Sequence, residues 1–221
     1  MSPAAPAPDP AAVDDHPGRT LLRVAWLAIL LGLLIQLILL IAAVAQGQEP
    51  SWVVQLADAA KSVSWATLVC VGVALGRAIP GNRVANMGLL GLLSGPMAFQ
   101  VAKVVHRGVN ESLKVAPAVA ALSPMTVGLI KALEYGSLGV LVAWVSRRRW
   151  GTLGGHLSVG LGVGLLFGIL VYRLTNAASM ASQGLALPSD KVLSIFINET
   201  VFPMGCALVL YASDAMRRRL A

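Results

Sequence analysis

The sequence predicts an all-α, polytopic membrane protein with six transmembrane helices. Of its 221 residues, 57% are hydrophobic and only 12% are charged, and the mean hydropathy is +0.75. Soluble domains carry about 25% charged residues, so the composition does not suit a protein surrounded by water. Apolar windows recur from Val24 to the end of the chain. Each holds about twenty residues, enough to cross a bilayer core of about 30 Å.

Residues 1–20 form the first segment, which we predict to be a disordered cytoplasmic tail. They are rich in proline, alanine and acidic side chains and cannot bury a core. The apolar run that follows, from Val24 to Ala45, is longer than the core of a signal peptide, so we do not expect cleavage there. Residues 21–221 are then the six-helix transmembrane domain.

Hydropathy and helix-breaking residues divide this domain into six spans. Their approximate ranges are 24–45, 56–76, 84–103, 125–146, 154–174 and 191–213. Small residues recur every four positions in three of them, a pattern that lets helix backbones approach closely. These are Gly72 and Gly76, Gly91 and Gly95, and Gly160, Gly164 and Gly168.

An internal repeat is suggested by Gly-Leu-Leu, which begins at residues 32, 91 and 164, each time in the first helix of a pair. Placing Lys61 over Lys131 also aligns Trp65 with Tyr135 without a gap. The pattern suggests three repeated helical hairpins, although leucine and glycine are common enough for chance to produce it.

The formal net charge of +7 comes mainly from arginines that flank the apolar runs. The positive-inside rule places such flanks in the cytoplasm and explains the excess without a nucleic-acid partner. The connections at 46–51 and 179–189 contain no base and are expected outside. We therefore predict a multi-pass protein of a cell inner membrane with both termini cytoplasmic. The flanking residues are Arg19, Arg23, Arg77, Arg83, Arg147, Arg148, Arg149, Arg217, Arg218 and Arg219.

Charged residues inside the spans are the candidate functional groups. Glu134 precedes Arg147 by thirteen residues, or about 20 Å of helix at about 1.5 Å per residue, which places it well below the outer surface. Burying a charge at such depth costs a few kcal/mol, so these groups are expected to face protein or water. Lys131 lies one helical turn from Glu134 and can pair with it.

The polar residues on spans 2, 4 and 6 fall in a similar layer of the outer half. They are Asp58, Lys61, Lys131, Glu134, Asn198 and Glu199. Three interpretations remain open: they line the path of a solute or ion in a shared outward-opening chamber, they neutralise one another at helix interfaces, or they bind another membrane subunit.

A basic outer rim is expected at Lys103, Arg107 and Arg173. Polar residues from Gln100 to Lys114 follow helical spacing, so span 3 is predicted to project from the membrane as an amphipathic helix. Its basic face would attract anionic solutes or lie among lipid head groups.

Catalytic and cofactor motifs are missing from the sequence. His16, His106 and His156 are scattered, so neither a metal nor a haem site is predicted, and no cofactor is expected. Ser137 has no histidine at its depth to act as a base. No phosphate-binding glycine motif occurs, and we predict that the protein is not an enzyme.

The function expected from these residues is transport or conduction of a small polar or ionic solute through an outward-opening polar chamber. Glu134 would be the central ionisable group. The alternative is a non-catalytic scaffold or accessory subunit of a larger membrane complex. The expected partners are the lipid bilayer, the solute, and either further copies of the chain or a partner membrane subunit.

Overall fold

The computed structural model describes residues 17–49, 51–112 and 122–220. Within these ranges the chain is all-helical. All six helices are long and apolar enough to cross a membrane, as the hydropathy predicted. They are α1 (Pro17–Ala45), α2 (Trp52–Ala78), α3 (Arg83–Ser112), α4 (Pro124–Val145), α5 (Leu153–Gln183) and α6 (Ser189–Leu220).

Most helices extend beyond the apolar spans from which they were predicted. Helix α1 begins at Pro17, within the predicted tail, whose residues 1–16 lie outside the described residues. Helix α3 continues to Ser112 and α5 to Gln183, so span 3 stays helical beyond its predicted apolar part as far as Ser112. Hydropathy windows stop at the first polar residues, but lysine, arginine and glutamine are good helix formers and prolong the helix.

The six helices pack in the order of the sequence. Each contacts the next, α1 also contacts α6, and α6 contacts α2 and α4. Because consecutive helices are antiparallel, the connections lie at two ends. The Gln48 end holds the connections 46–51 and 184–188, and the Asp214 end holds the connections 79–82 and 146–152. The structure does not establish the hairpin repeat.

Local signals fix the helix boundaries. Ser123 caps α4 by accepting a hydrogen bond from the backbone N–H of Thr126 at 3.1 Å, and Pro124 follows at the first helical position. Thr152 caps α5 in the same way. Helix α5 ends at Gly184, whose φ of 68° is left-handed and therefore favours glycine.

The predicted glycine faces lie at helix contacts. Gly91 and Gly95 of α3 face the backbone of α4 at Tyr135 and Lys131, and a Cβ at either glycine would overlap that backbone. Comparable contacts join α2 to α3 through Gly72 and Gly76, and α5 to α6 through Gly160 and Gly164. The prediction of close helix packing is confirmed. In a bilayer such packing matters because lipid supplies no hydrophobic force between helices.

Large apolar side chains occupy both the interior and the outer surface. Trp65 of α2, Tyr135 of α4 and Phe202 of α6 are buried between the helices. Leucines, valines and isoleucines on the outer faces are exposed, with Leu30, Ile41 and Leu166 each at least 50% exposed. An apolar exterior is what a lipid solvent requires of a helix bundle.

The close contact between α3 and α4 can be tested with a single methyl group. We expect Gly91→Ala to destabilise the folded protein by about 1–3 kcal/mol, because the new Cβ would displace the Tyr135 backbone. Thermal unfolding in detergent, followed by circular dichroism, measures the change. Gly162→Ala is the matched control, since a Cβ there meets nothing within 4 Å, and it should be neutral or slightly stabilising. Equal stability of both variants would contradict the packing.

Candidate functional site

Three charged side chains meet in the interior of the bundle, and we call them the Lys131 triad. The ammonium Nζ of Lys131 donates to Glu134 Oε2 at 2.7 Å and to Glu199 Oε2 at 2.5 Å. Glu134 comes from the same helix, α4, and Glu199 from α6. Lys131 and Glu199 are each 8% exposed and Glu134 is not exposed at all. The triad is therefore buried away from solvent.

Glycines on neighbouring helices pack against the backbone of the triad residues. Gly95 of α3 lies against the carbonyl of Lys131, and Gly164 of α5 lies against the backbone of Glu199. Gly168 follows one turn later, where a Cβ would lie 3.2 Å from the Cβ of Glu199. The absence of side chains at these positions brings α3 and α5 close to the two helices that carry the charges.

An aromatic wall covers the ammonium. Nζ of Lys131 lies 5.4 Å from the ring centroid of Trp65 and 5.9 Å from that of Tyr135. The indole N–H of Trp65 donates to the Tyr135 hydroxyl at 3.2 Å, which fixes both rings. Phe202 packs edge-on against Trp65 with centroids 6.3 Å apart. A cation over aromatic faces is stabilised electrostatically, so the wall favours charged Lys131.

The triad holds two acids and one base. Oε1 of Glu134 is buried and has no hydrogen-bond donor among the described residues. The carboxyl groups of Glu134 and Glu199 are neighbours, because one oxygen of each bonds to the same Lys131 Nζ. A buried polar atom without a partner costs free energy, so this oxygen is the site's unsatisfied group.

A separate cavity of about 300 Å³ lies between α1, α2 and α6 at the Gln48 end. Its lining is strongly polar and includes both signs of charge. The polar lining residues are Gln36, Gln46, Gln48, Ser51, Gln55, Asp58, Lys61, Asp190, Lys191, Ser194 and Asn198. Lys61 and Asp58, one turn apart on α2, form an ion pair at 2.6 Å in its wall. The cavity can accommodate a small polar molecule or several waters.

The structure separates the residues that were expected in one chamber. Asp58, Lys61 and Asn198 line the cavity, whereas Lys131, Glu134 and Glu199 form the triad and do not line it. The physical reason is helical rotation. Consecutive residues of a helix point about 100° apart, so neighbouring Asn198 and Glu199 face different spaces. Asn198 donates instead to the carbonyl of Ser194, on its own helix, at 2.9 Å.

The expected basic rim is not gathered in one place. Lys103 and Arg173 are exposed on α3 and α5, two helices that do not pack against each other. Arg107 forms an exposed ion pair with Glu111 at 3.3 Å. None of the three lines the cavity.

The contacts of His106 were not predicted from the sequence, where the three histidines are scattered. Its Nε2 lies 3.2 Å from Asp58 Oδ1, so Asp58 joins Lys61 of α2 to His106 of α3. Asn110 lies one turn further along and approaches Nδ1 of His106 at 3.4 Å. The helical spacing between His106 and Asn110 was a readable signal, but the sequence did not show that Asp58 of α2 faces α3.

A second buried ion cluster closes the Asp214 end, and sequence reasoning missed it. Arg77 Nη1 lies 2.7 Å from Asp214 Oδ1 and Arg83 Nη2 lies 3.4 Å from Oδ2, so α2 and α3 are tied to α6. Arg77 also donates to the carbonyl of Leu210 at 3.0 Å. The available signal was Asp214 itself, an acid just before the terminal arginines, which the positive-inside rule ignores.

Groups for other chemistry are sparse in the part of the chain that the structure describes. No cluster of three or more histidine, cysteine, aspartate or glutamate side chains could hold a metal there. Ser137 donates to the backbone carbonyl of Glu134 at 2.8 Å, so its hydroxyl serves its own helix. Cys70 and Cys206 are both free and buried.

Comparisons with known proteins gave no match, whether with family models, curated proteins or solved structures. The class of the molecule therefore rests on its helices, whose number, length and apolarity are those of a multi-pass membrane protein. Its function has to be argued from the cavity and the two ion clusters.

The Asp214 cluster should be a major contribution to stability. We expect Asp214→Asn to lower the free energy of unfolding by about 3–5 kcal/mol, because Arg77, only 9% exposed, would lose its buried counter-charge. Unfolding in detergent measures the loss. Glu111→Gln removes an ion pair whose side chains are 75% and 71% exposed, and should cost at most about 1 kcal/mol. Similar losses in both variants would show that burial does not strengthen the cluster.

Proposed function

We propose that this protein is a multi-pass protein of a cell inner membrane that transports or conducts a small polar or ionic solute. The observation that carries the proposal is the polar cavity at the Gln48 end, which adjoins a buried ionisable triad. Asn198 lines the cavity and the next residue, Glu199, belongs to the triad. Intramembrane charges of this kind commonly mark substrate or ion pathways.

The lining of the cavity suits a small solute that is polar or that carries both a positive and a negative charge. Lys61 and Asp58 face one side, and Asp190 and Lys191 face the other, so each side offers a cation and an anion. Glutamine and asparagine amides between them supply both donors and acceptors. A volume of about 300 Å³ is at the small end of the range for ligand pockets.

The ion pairs at the opposite end of the bundle are consistent with a transporter that is open on only one side at a time. Asp214, Arg77 and Arg83 join three helices there with buried ion pairs. A transporter that alternates between its two sides must close one while the other is open. In this proposal the cavity at the Gln48 end is the open side and the ion pairs at the Asp214 end form the closed side.

The arginines support the proposed orientation. Arg77, Arg83 and the arginines at 147–149 lie at the Asp214 end, while the connections 46–51 and 184–188 contain no base. By the positive-inside rule the Asp214 end, with both termini, is cytoplasmic and the cavity faces outward.

A second candidate function is a non-catalytic accessory subunit of a membrane complex, and one observation favours it. Glu134 is fully buried and bonded to Lys131, which is the geometry of a dry structural pair. Buried ion pairs of this kind can fix helix register without binding a solute. The two candidates differ in whether water and solute reach the triad.

Transport should depend on Glu134 and on the cavity. We expect proteoliposomes to give solute-induced currents with members of a panel of small inorganic ions, amino acids and sugars. Glu134→Gln should reduce the current at least tenfold, because the ionisable group is lost while the side-chain shape is kept. Asn198→Leu should also reduce it by narrowing the cavity.

Glu111→Gln is the control, since Glu111 is exposed and distant in sequence from both sites, and its currents should equal those of the native protein. Full current in Glu134→Gln would remove the triad from the mechanism. Failure of the whole panel, together with stable co-purification of a second membrane protein, would favour the accessory subunit.

The orientation can be tested with single cysteines. Gly47 and Gly81 have φ of 74° and 105°, so cysteine there would be strained, and the exposed neighbours Glu49 and Pro80 are better positions. We expect a membrane-impermeant maleimide to label Glu49→Cys in intact cells and Pro80→Cys only after lysis. The native cysteines should give little background because both are buried. The reverse pattern would invert the proposed topology.

A further inference from the structure

We infer that the Lys131 triad is a proton-binding site that holds one proton between Glu134 and Glu199. Resting on the proposed function, we further infer that this proton is the ion coupled to solute movement. The binding step is protonation of a carboxylate to a carboxylic acid and needs no other reactant.

The first argument is charge balance. Lys131 supplies one positive charge, and two ionised carboxylates would leave the triad with an excess negative charge. All three side chains are at least nine-tenths buried. An uncompensated charge in such surroundings costs several kcal/mol, and a buried acid avoids that cost by taking up a proton. One proton makes the triad neutral.

The second argument is hydrogen bonding. Both carboxylates accept from Lys131, and their remaining oxygens have only lone pairs to offer each other. Oε1 of Glu134 has no donor among the described residues, although it is buried. A proton on either carboxyl group turns an acceptor into a donor. Because both carboxyl groups bond to the same Nζ, that donor can face the neighbouring acid, and the repulsion between two negative charges is removed.

Among the described residues, no other charged group bonds to the triad from the surrounding helices. Helix α2 presents the neutral Trp65, α3 presents Gly95, and α5 presents Gly164 and Gly168. On α4 the only further titratable neighbour is the hydroxyl of Tyr135, which is held by Trp65.

The charged residues farther from the triad lie near the Asp214 end, are exposed or are paired elsewhere. Helix α1 carries only Arg19 and Arg23, both near the Asp214 end, and the charged residue of α5, Arg173, is exposed. Asp58 of α2 is paired with Lys61 and with His106 of α3, next to the cavity. The missing charge must therefore come from solvent, and a proton is the smallest ion that does not require space for coordination.

The exchange route starts at Glu199. Its side chain is 10% exposed while that of Glu134 is 0% exposed, and it follows Asn198, which lines the cavity. A turn of the Glu199 side chain away from Lys131 would carry the proton to the cavity. It would also leave Lys131 paired with Glu134 alone, a neutral pair. Release of the proton and access of the solute would then both depend on Glu199.

Infrared spectroscopy of the purified protein in vesicles tests the site without measuring transport. At neutral pH we expect the native protein to show the carbonyl stretch of one protonated carboxylic acid, shifted in heavy water. Glu134→Gln and Glu199→Gln should each lose it, because the remaining carboxylate pairs one-to-one with Lys131. Lys131→Met should about double it, because both acids would then be neutral. Glu111→Gln should leave it unchanged.

Absence of the band in the native protein, or its survival in both glutamine variants, would overturn the proton site. The single glutamine variants keep this test decisive if Lys131→Met does not fold.

Coupling between proton and solute movement is measured separately. A pH-sensitive dye inside proteoliposomes reports the lumen pH during uptake of a solute that produced currents in the panel. Acidification of the lumen in the native protein, and its loss in Glu199→Gln, is the expected result. If the infrared band is present but no solute is transported, the proton site stands and the transport function is rejected. Transport without lumen acidification would retain the proposed function and reject proton coupling.

Discussion

The requirement that buried charges find partners inside the protein dominates this bundle. Lipid offers no solvation to a carboxylate or an ammonium, so each polar group within a span constrains which helix faces meet. Glu199 joins α6 to Lys131 of α4, and Asp214 joins α6 to the arginines of α2 and α3. At the Gln48 end, Asp190 accepts from Gln48 at 3.3 Å. Helix α6 therefore supplies an acid at each of three levels, and the positions of the other helices follow from those acids.

Glycine contacts surround the helices that carry the triad. Gly95 brings α3 against the backbone of α4 at Lys131, and Gly164 brings α5 against the backbone of α6 at Glu199. Small residues permit such close approach between membrane helices. Close packing and buried charge therefore occur at the same level of the bundle.

The sequence was sufficient for the six helices and for the pairing of Lys131 with Glu134, because both follow from local quantities, namely hydropathy and the spacing of one helical turn. It was not sufficient for the third member. Whether Glu199 faces Lys131 or the cavity depends on how α6 is rotated, and the apolar residues of a membrane helix do not mark an inner face clearly. Asp214 and His106 were missed for a related reason. Both residues contact side chains of other helices. Those contacts depend on how α2, α3 and α6 pack and not on the sequence around either residue.

Pro203 lies on α6 between Glu199 and Asp214, inside a continuous helix. Proline has no backbone N–H, so the main-chain oxygen four residues earlier loses its usual helical donor, and that oxygen belongs to Glu199. It lies against Gly164 of α5, where no side chain obstructs it. Helix α6 consequently lacks one backbone hydrogen bond at the residue whose carboxyl group is bonded to Lys131, while Asp214, further along the same helix, is paired with Arg77.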